Sequence, residues 1–290
     1  MKLEYKILWI DNDDKIYKDH QSIIEDYLTD LGFTPIIEKG GDYQAFDKFE
    51  SDLKQFDLFL LDYKLDGKQN GNEIIKNIRD EHSIYTDVIF YSTLPEEVRQ
   101  RIYEDKLNGV YYTSRKFDEF EEDVISIIDV TIKKVQDVNN LRGLIMAEVA
   151  ELDRIKETIL KKYSEKNQCG TIENYLIEKL NKSYNDNLKK VEKYTASSLI
   201  DIFENLYVDS DKRARAIKKV ENSFDEESYR KNILFTRNKF AHIEETPGTD
   251  QDGNSCSIIG DIPFTEKKCI EIRKEIKDYK KLLEGIRDSI

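Results

Sequence analysis

Two short apolar runs, each ending in an aspartate, constrain the fold of this chain more than any other feature. The run LFLL at 58–61 leads into Asp62, and the run ILWI at 7–10 leads into Asp11. Consecutive apolar residues indicate strands that are buried on both faces, as in a parallel sheet. Ligands of open α/β sheets bind at the carboxyl ends of such strands. Both aspartates are therefore predicted to lie at one site.

Strand and helix patterns alternate through the first part of the chain. Further strands are predicted over 33–38, 88–91 and 109–112, with amphipathic helices between them. From residue 117 onward the strand pattern stops, and helices are predicted over 171–193, 196–207, 211–221, 226–243 and 265–288. The composition of 246–255 predicts a mobile loop. The predicted fold class is an α/β N-terminal domain with a five-stranded parallel sheet, followed by an all-α helical bundle.

Length and charge agree with two domains of different character. The predicted domains are 1–130 and 131–290, joined by one long helix or by two helices in series. Residues 1–120 carry 16 basic and 26 acidic side chains, whereas residues 121–290 carry 30 and 33. The acidic excess argues against nucleic-acid binding by the first domain. The second domain is nearly neutral and has room for a local basic surface.

Polar residues follow the predicted strands in a fixed order. They are Asp11, Asn12, Asp13, Asp62, Ser92 and Lys116. Over roughly residues 4–130, this order resembles the receiver domain of two-component response regulators. The resemblance implies a flavodoxin-like five-stranded parallel sheet, with Asp62 as the acceptor of a phosphoryl group. It also implies a histidine kinase or another phosphodonor as partner.

The same resemblance implies roles for the neighbouring side chains. Ser92 and Lys116 are expected to contact the phosphoryl oxygens, and Mg²⁺ is expected at Asp11, Asn12, Asp13 and Asp62. Asn12 stands where many receivers have a second acid, and the adjacent Asp13 can compensate. The residue types suit this chemistry, since Mg²⁺ prefers oxygen ligands and offsets the repulsion between carboxylates and phosphate. The alternative is a degenerate receiver that only dimerises.

A second motif lies in the helical half. Arg237, Asn238 and His242 form an R-x4-H pattern, in which four residues separate the Arg from the His. The pattern resembles the motif of HEPN domains, all-helical bundles of which many are metal-independent ribonucleases. The resemblance implies an endoribonuclease that acts on RNA as a homodimer and needs no cofactor for cleavage.

Elementary chemistry gives these three residues plausible roles. Histidine titrates near neutral pH, so His242 suits proton transfer from a 2′-hydroxyl. Arg237 can bind phosphate through two parallel hydrogen bonds, and Asn238 can orient His242, since the two are four residues apart on one helical face. The basic run 212–219 either tracks an RNA backbone or is a solvated helix face.

Two other functional classes stay open at this stage. The helical domain can belong to a non-catalytic adaptor that mediates dimerisation or protein binding. A DNA-binding regulator is the third hypothesis, although no basic recognition helix is evident. We expect a cytoplasmic protein without a membrane partner, because no apolar stretch reaches the roughly 20 residues of a membrane span and the three cysteines lack metal-ligand spacing.

Overall fold

The computed structural model describes residues 3–41, 48–65, 71–80, 84–135, 138–167, 170–187, 199, 202–203 and 208–290. The helix predicted over 196–207 lies mostly outside these residues. The chain forms two compact units, Met1–Asp137 and Val138–Ile290. Within the described part of the chain, no helix is both long and apolar enough to cross a membrane.

A parallel sheet of five strands in the order β2-β1-β3-β4-β5 forms the centre of the first unit. The strands are β1 Glu4–Ile10, β2 Thr34–Gly40, β3 Leu58–Asp62, β4 Asp87–Ser92 and β5 Val110–Ser114. The helices are α1 Asp14–Asp30, α2 Gly71–Asp80, α3 Pro95–Glu104 and α4 Phe117–Val135, with a 3₁₀ helix at Glu50–Gln55. The predicted flavodoxin-like α/β fold is confirmed.

Apolar layers cover both faces of the sheet, which explains the unbroken apolar runs of β1 and β3. On one face, Leu8 and Phe59 pack with buried side chains of α2 and α3. On the other face, Trp9 and Leu60 pack with buried side chains of α1 and α4. Because side chains alternate along a strand, Asp11 and Asp62 continue the rows that face α1 and α4.

Gly71 is required where the chain returns to the sheet edge. It begins α2, and its backbone N–H donates to the carbonyl of Tyr63 at 3.1 Å. A Cβ at this position would lie 2.6 Å from the ring of Phe90 and 3.0 Å from the carbonyl oxygen of Asp62. Only glycine permits this approach, so the residue fixes the path beside Asp62.

Helices dominate the second unit. They are α5 Val138–Asn167, α6 Thr171–Asn187, α7 Ser210–Val220, α8 Glu226–Tyr229, a π-helical turn at Arg230–Leu234, α9 Phe235–His242 and α10 Glu266–Ser289. The long helices α5 and α10 pack against each other through apolar faces that include Leu152, Ile159, Ile276 and Leu283. The prediction was an all-α helical bundle, and the part of it that is confirmed is a mostly helical region.

A three-stranded antiparallel sheet interrupts the helices, so the unit is not all-α. Its strands are β6 Glu245–Thr249, β7 Ser255–Ile259 and β8 Ile262–Phe264. The prediction of a loop over 246–255 was therefore wrong, except for the turn at 250–254. Pro247 and Gly248 suggested a loop, but β6 is an edge strand, where a missing backbone donor is tolerated. Gly248 also leaves room for Ile258 of the paired strand.

Candidate functional site

The side chain of Asp62 lies at the carboxyl end of the central strand and is only 3% exposed. Its Oδ2 atom is 2.7 Å from Nη2 of Arg115, and its Oδ1 accepts a 3.3 Å hydrogen bond from the backbone of Lys64. A nearly buried carboxylate with one cationic partner is placed to react with, or to bind, a group that approaches the sheet edge.

Burial raises the pKa of Asp62 from 3.8 to about 6. Removal from water is the main cause, since it disfavours the charged form. The neighbouring carboxylate of Asp11 raises the pKa further, whereas the guanidinium of Arg115 opposes the shift. The carboxylate is still the main form at neutral pH, and it is more basic than an ordinary aspartate.

Asp11 is fully buried and is held by two aromatic residues. Its Oδ2 accepts a 2.6 Å hydrogen bond from the hydroxyl of Tyr91, and that hydroxyl accepts a 2.7 Å bond from Nε1 of Trp9. The pKa of Tyr91 is raised well above its ordinary value by burial and by the charge of Asp11. Tyr91 therefore remains a protonated donor that fixes the carboxylate of Asp11.

The cation at this site is Arg115, the residue that follows β5. Its Nη2 lies 3.3 Å from both carboxylate oxygens of Asp11, and its Nη1 lies 3.4 Å from Oδ2 of Asp13. The predicted cation, Lys116, instead forms a 2.8 Å ion pair with Glu119, and its side chain is 76% exposed. The structure thus brings Arg115 to the carboxylates and places the ammonium of Lys116 at the surface.

The remaining predicted residues lie at the same edge. Ser92 ends β4 one residue beyond Tyr91, the register partner of Asp62, and its buried Oγ accepts a 3.1 Å hydrogen bond from the backbone of Leu94. Asp13 caps α1 by accepting a hydrogen bond from the backbone of Lys15. Asn12 is exposed. The ends of β1, β3 and β4 therefore place Asp11, Asp62 and Ser92 along the same edge of the sheet.

These residues do not fit a divalent ion in the arrangement observed. Among the described residues, no group of three or more acidic, histidine or cysteine side chains is arranged to hold a metal. The guanidinium of Arg115 contacts three of the predicted ligands, Asp11, Asp13 and Asp62. A divalent ion needs the same carboxylate oxygens, and it would be repelled by the guanidinium.

In the second unit, Arg237 is held from two sides. Its Nη1 donates to Oγ of Ser210 at 2.9 Å, and its Nη2 and Nε donate to Oδ1 of Asn238 at 2.8 and 3.1 Å. The predicted role of Asn238 was to orient His242, whereas here its amide oxygen contacts Arg237. His242 is the last residue of α9, and its side chain is exposed.

Behind Arg237 lies a buried polar cluster, which we define as Asp153, Lys156, Ser210 and Tyr229. Lys156 is completely buried, and its Nζ contacts Oδ1 of Asp153 at 2.6 Å and the hydroxyl of Tyr229 at 3.0 Å. The hydroxyl of Ser210 donates to Asp153, which connects the cluster to Arg237. Burial lowers the pKa of Lys156 to about 8, and Asp153 opposes that shift.

The basic run 212–219 lies on α7, and its first three cations are paired with acids of the same unit. Arg213 contacts Glu157 at 2.9 Å, and Arg215 contacts Asp211 at 2.8 Å. The side chain of Arg213 is only 18% exposed. These paired cations do not form a free basic stripe, whereas Lys219 near the end of the run is exposed, so the run is a partly solvated helix face and its contact with RNA stays a prediction.

Sequence reasoning missed several residues that complete these sites. Arg115 was overlooked because its neighbour Lys116 is also a cation at the end of a strand. Tyr91 and Trp9 were assigned only to the core. Because side chains alternate along a strand, both lie on the sheet face that also carries the candidate site. The buried polar cluster joins residues from three distant segments, so no local pattern indicates it.

The first unit is similar in structure to solved receiver domains. A response regulator receiver domain protein of Clostridium thermocellum is 19% identical, with a TM-score of 0.35 over 45% of this chain and 95% of that chain. The receiver domain of Francisella response regulator 1452 is 18% identical, with a TM-score of 0.36 over 45% and 98%. The chemotaxis protein CheY4 of Vibrio cholerae is 18% identical, with a TM-score of 0.33 over 44% and 98%.

No family model and no curated protein matches the chain. The fold class rests instead on the strand order and register of the sheet.

Proposed function

We propose that this chain is a phosphorylation-responsive signalling protein in which Asp62 accepts a phosphoryl group. The observation that carries the proposal is the position of Asp62, nearly buried at the end of the central strand beside Asp11 and Arg115. A phosphoryl group there replaces one negative charge with two, in a place where the surrounding groups are closely packed. Such a change in charge is a physical basis for a switch.

The transfer requires an in-line attack by a carboxylate oxygen of Asp62 on phosphorus. The new O–P bond of an acyl phosphate forms while the bond from phosphorus to the donor breaks, and the leaving group takes the electron pair. The donor is a phosphohistidine of a kinase or a small acyl phosphate. Arg115 opposes the charge that develops on the phosphoryl oxygens, and Ser92 retains a hydroxyl proton to donate to them.

Labelling with a small phosphodonor tests this assignment. Incubation with acetyl phosphate is expected to give one hydroxylamine-sensitive acyl phosphate in the native chain and none in Asp62→Asn. Asp14→Asn is the matched control, because Asp14 is an exposed acid that pairs with Lys39 at the start of α1. Equal labelling of native protein and Asp62→Asn, or no labelling with any donor, would contradict the assignment.

We further propose that the second unit is a metal-independent endoribonuclease that uses Arg237, Asn238 and His242. The imidazole of His242 takes the proton of a ribose 2′-hydroxyl, whose oxygen attacks the adjacent phosphorus. A cyclic phosphate forms as the P–O5′ bond breaks, and the 5′ oxygen leaves with the electron pair of that bond and takes the proton that His242 accepted, directly or through water. Arg237, held by Ser210 and Asn238, opposes the charge on the phosphate.

A homodimer, which we also propose, supplies a second copy of each residue. This is useful because Arg237 and His242 are five residues apart, about 140° around an ideal helix of roughly 3.6 residues per turn. The proposed partners are therefore a phosphodonor such as a histidine kinase, RNA and a second copy of the chain. The contact of Lys116 with phosphate stays a prediction, and so does Mg²⁺ binding by Asp11, Asn12, Asp13 and Asp62, which requires that Arg115 first leave these acids.

Cleavage of a mixed RNA pool in EDTA tests the ribonuclease. The native chain is expected to cleave RNA, and His242→Ala is expected to lose cleavage without a change in far-UV circular dichroism. Glu244→Ala, which alters an exposed neighbour of His242, serves as the control. Equal cleavage by native protein and His242→Ala would reject the assigned chemistry.

A non-catalytic adaptor is the second candidate function. It is favoured because cations that could bind RNA already have partners within the unit. Arg237 donates a hydrogen bond to Ser210, and Arg213 forms an ion pair with Glu157. Such a helical unit would bind a protein partner rather than RNA. Retention of cellular function by His242→Ala would support the adaptor over the ribonuclease.

A further inference from the structure

The guanidinium of Arg115 contacts carboxylates from two segments of the chain that are distant in sequence. It contacts Asp62 after β3, and it contacts Asp11 and Asp13 in the segment after β1, at 2.7, 3.3 and 3.4 Å. The Arg115 side chain is 20% exposed, and its guanidinium lies 5.5 Å from the ring centre of Tyr91. One side chain therefore bridges three acids and is confined between them.

The acids that Arg115 contacts are the same acids that a divalent ion would need. Its nitrogens point at oxygens of Asp11, Asp13 and Asp62, so these oxygens cannot coordinate an ion without losing the guanidinium. The two cations would also repel each other at this separation. Occupation by Arg115 and occupation by a divalent ion are thus mutually exclusive.

We propose that Arg115 is an internal cation that takes the place of a divalent ion at the sheet edge. A divalent ion binds with appreciable affinity only when the guanidinium has left the three acids. The proposal deepens the proposed function and rests on it for the role of the site. Its test uses the unphosphorylated protein, so that its failure is distinguishable from a failure of Asp62 to accept a phosphoryl group.

The chain contains a natural reporter for this exchange. Trp9 is its only tryptophan, and its indole N–H donates to the hydroxyl of Tyr91, which in turn donates to Asp11. Replacement of the cation next to Asp11 changes the charge at the end of this short chain of hydrogen bonds. We therefore expect the fluorescence of Trp9 to change on cation exchange, without an added label.

The experiment is a titration with MgCl₂ at constant ionic strength, followed by Trp9 fluorescence and by calorimetry. Arg115→Gln is compared with the native chain and with Lys116→Gln, which removes an equal charge from the next residue. We expect Arg115→Gln to bind Mg²⁺ at least about tenfold more tightly than native protein. Lys116→Gln is expected to bind like the native chain.

Two further measurements keep the test decisive. Folding of each variant is checked by circular dichroism, and Arg115→Lys replaces Arg115→Gln if the latter fails to fold. Arg115→Lys keeps the charge but has a single nitrogen that cannot bridge three acids, so tighter Mg²⁺ binding is still expected. Addition of Asp11→Asn to either variant is expected to abolish the gain in Mg²⁺ affinity. The proposal would be overturned if both Arg115 variants bound Mg²⁺ with native affinity, or if Lys116→Gln gained as much Mg²⁺ affinity as they did.

Discussion

Nη2 of Arg115 lies 2.7 Å from Oδ2 of Asp62, so the proposed phosphoacceptor is paired with a residue from an edge strand two strands away. The side chain of Arg115 reaches over Tyr91 of the intervening strand to make this contact. The acid and its cation therefore come from β3 and from the end of β5, and only a correctly formed sheet edge brings them together.

The position of Arg115 predicts that phosphorylation of Asp62 does not depend on a divalent ion. Because the guanidinium already offsets the charge of the carboxylates, labelling of the native chain by acetyl phosphate is expected to persist in EDTA. In Arg115→Gln, labelling is expected to require Mg²⁺. The measurement is the labelled fraction by intact mass with and without EDTA. Loss of native labelling in EDTA would contradict this prediction.

The raised pKa of Asp62 predicts a distinctive dependence of stability on pH. The folded chain holds this proton up to about pH 6, whereas an ordinary aspartate loses it near 3.8. Between these values the folded state binds more protons, so the free energy of unfolding contributed by Asp62 falls as pH rises. Asp62→Asn is expected to be more stable than native protein at pH 7, by ~1–3 kcal/mol.

Urea unfolding at several pH values measures this effect. The difference between native protein and Asp62→Asn is expected to shrink as the pH falls below 6 and to vanish near 3.8. Asp14→Asn serves as the control, because Asp14 is exposed and its pKa is lowered by Lys39. If the difference in free energy of unfolding between native protein and Asp62→Asn did not vary with pH, the pKa of Asp62 would not be raised by burial.

Tyr91→Phe removes the hydroxyl that links Trp9 to Asp11. Two buried polar groups then lose a partner, and we expect the free energy of unfolding to fall by ~1–3 kcal/mol. Tyr112→Phe, on an exposed residue of β5, is expected to have little effect. Trp9 emission should shift in Tyr91→Phe only, and unchanged emission in that variant would argue against the Trp9–Tyr91 hydrogen bond.

Two ion pairs on α5 provide a matched test of burial in the second unit. Both pairs join residues three apart, but Asp153–Lys156 includes a fully buried lysine, whereas Glu151–Arg154 lies at the surface. Asp153→Ala leaves the ammonium of Lys156 without its counter-charge and is expected to cost ~3–5 kcal/mol. Glu151→Ala is expected to cost ~0–1 kcal/mol. Equal losses in urea unfolding would contradict the role of burial.

Much of the first unit could be predicted from residue patterns, because buried parallel strands appear as short apolar runs. Strand existence and order along the chain were predicted in this way, and β3 ends at Asp62 as expected. The β6–β7 hairpin was missed because Pro247 and Gly248 are typical of loops. Its strands are short, and β6, which contains both residues, is an edge strand whose pairing with β7 outweighs local preference.

The residues of the candidate site could also be predicted only in part. Asp11, Asp62 and Ser92 lie together because the ends of parallel strands share one edge, which a pattern can indicate. Sequence alone did not show which of Arg115 and Lys116 turns towards the acids. That choice depends on the start of α4, where Lys116 pairs with Glu119 and Arg115 is left to face the sheet edge.

We propose that phosphorylation of Asp62 controls the ribonuclease of the second unit, and the most direct test of this control is RNA cleavage with and without a phosphodonor, in native protein and in Asp62→Ala. We predict that acetyl phosphate changes the cleavage rate of the native chain by about 5-fold or more, a typical coupling between two sites. In Asp62→Ala the rate is expected to be the same with and without the donor, and His242→Ala is expected to be inactive in both. A native rate that acetyl phosphate leaves unchanged, despite confirmed labelling of Asp62, would contradict control of the helical unit by phosphorylation.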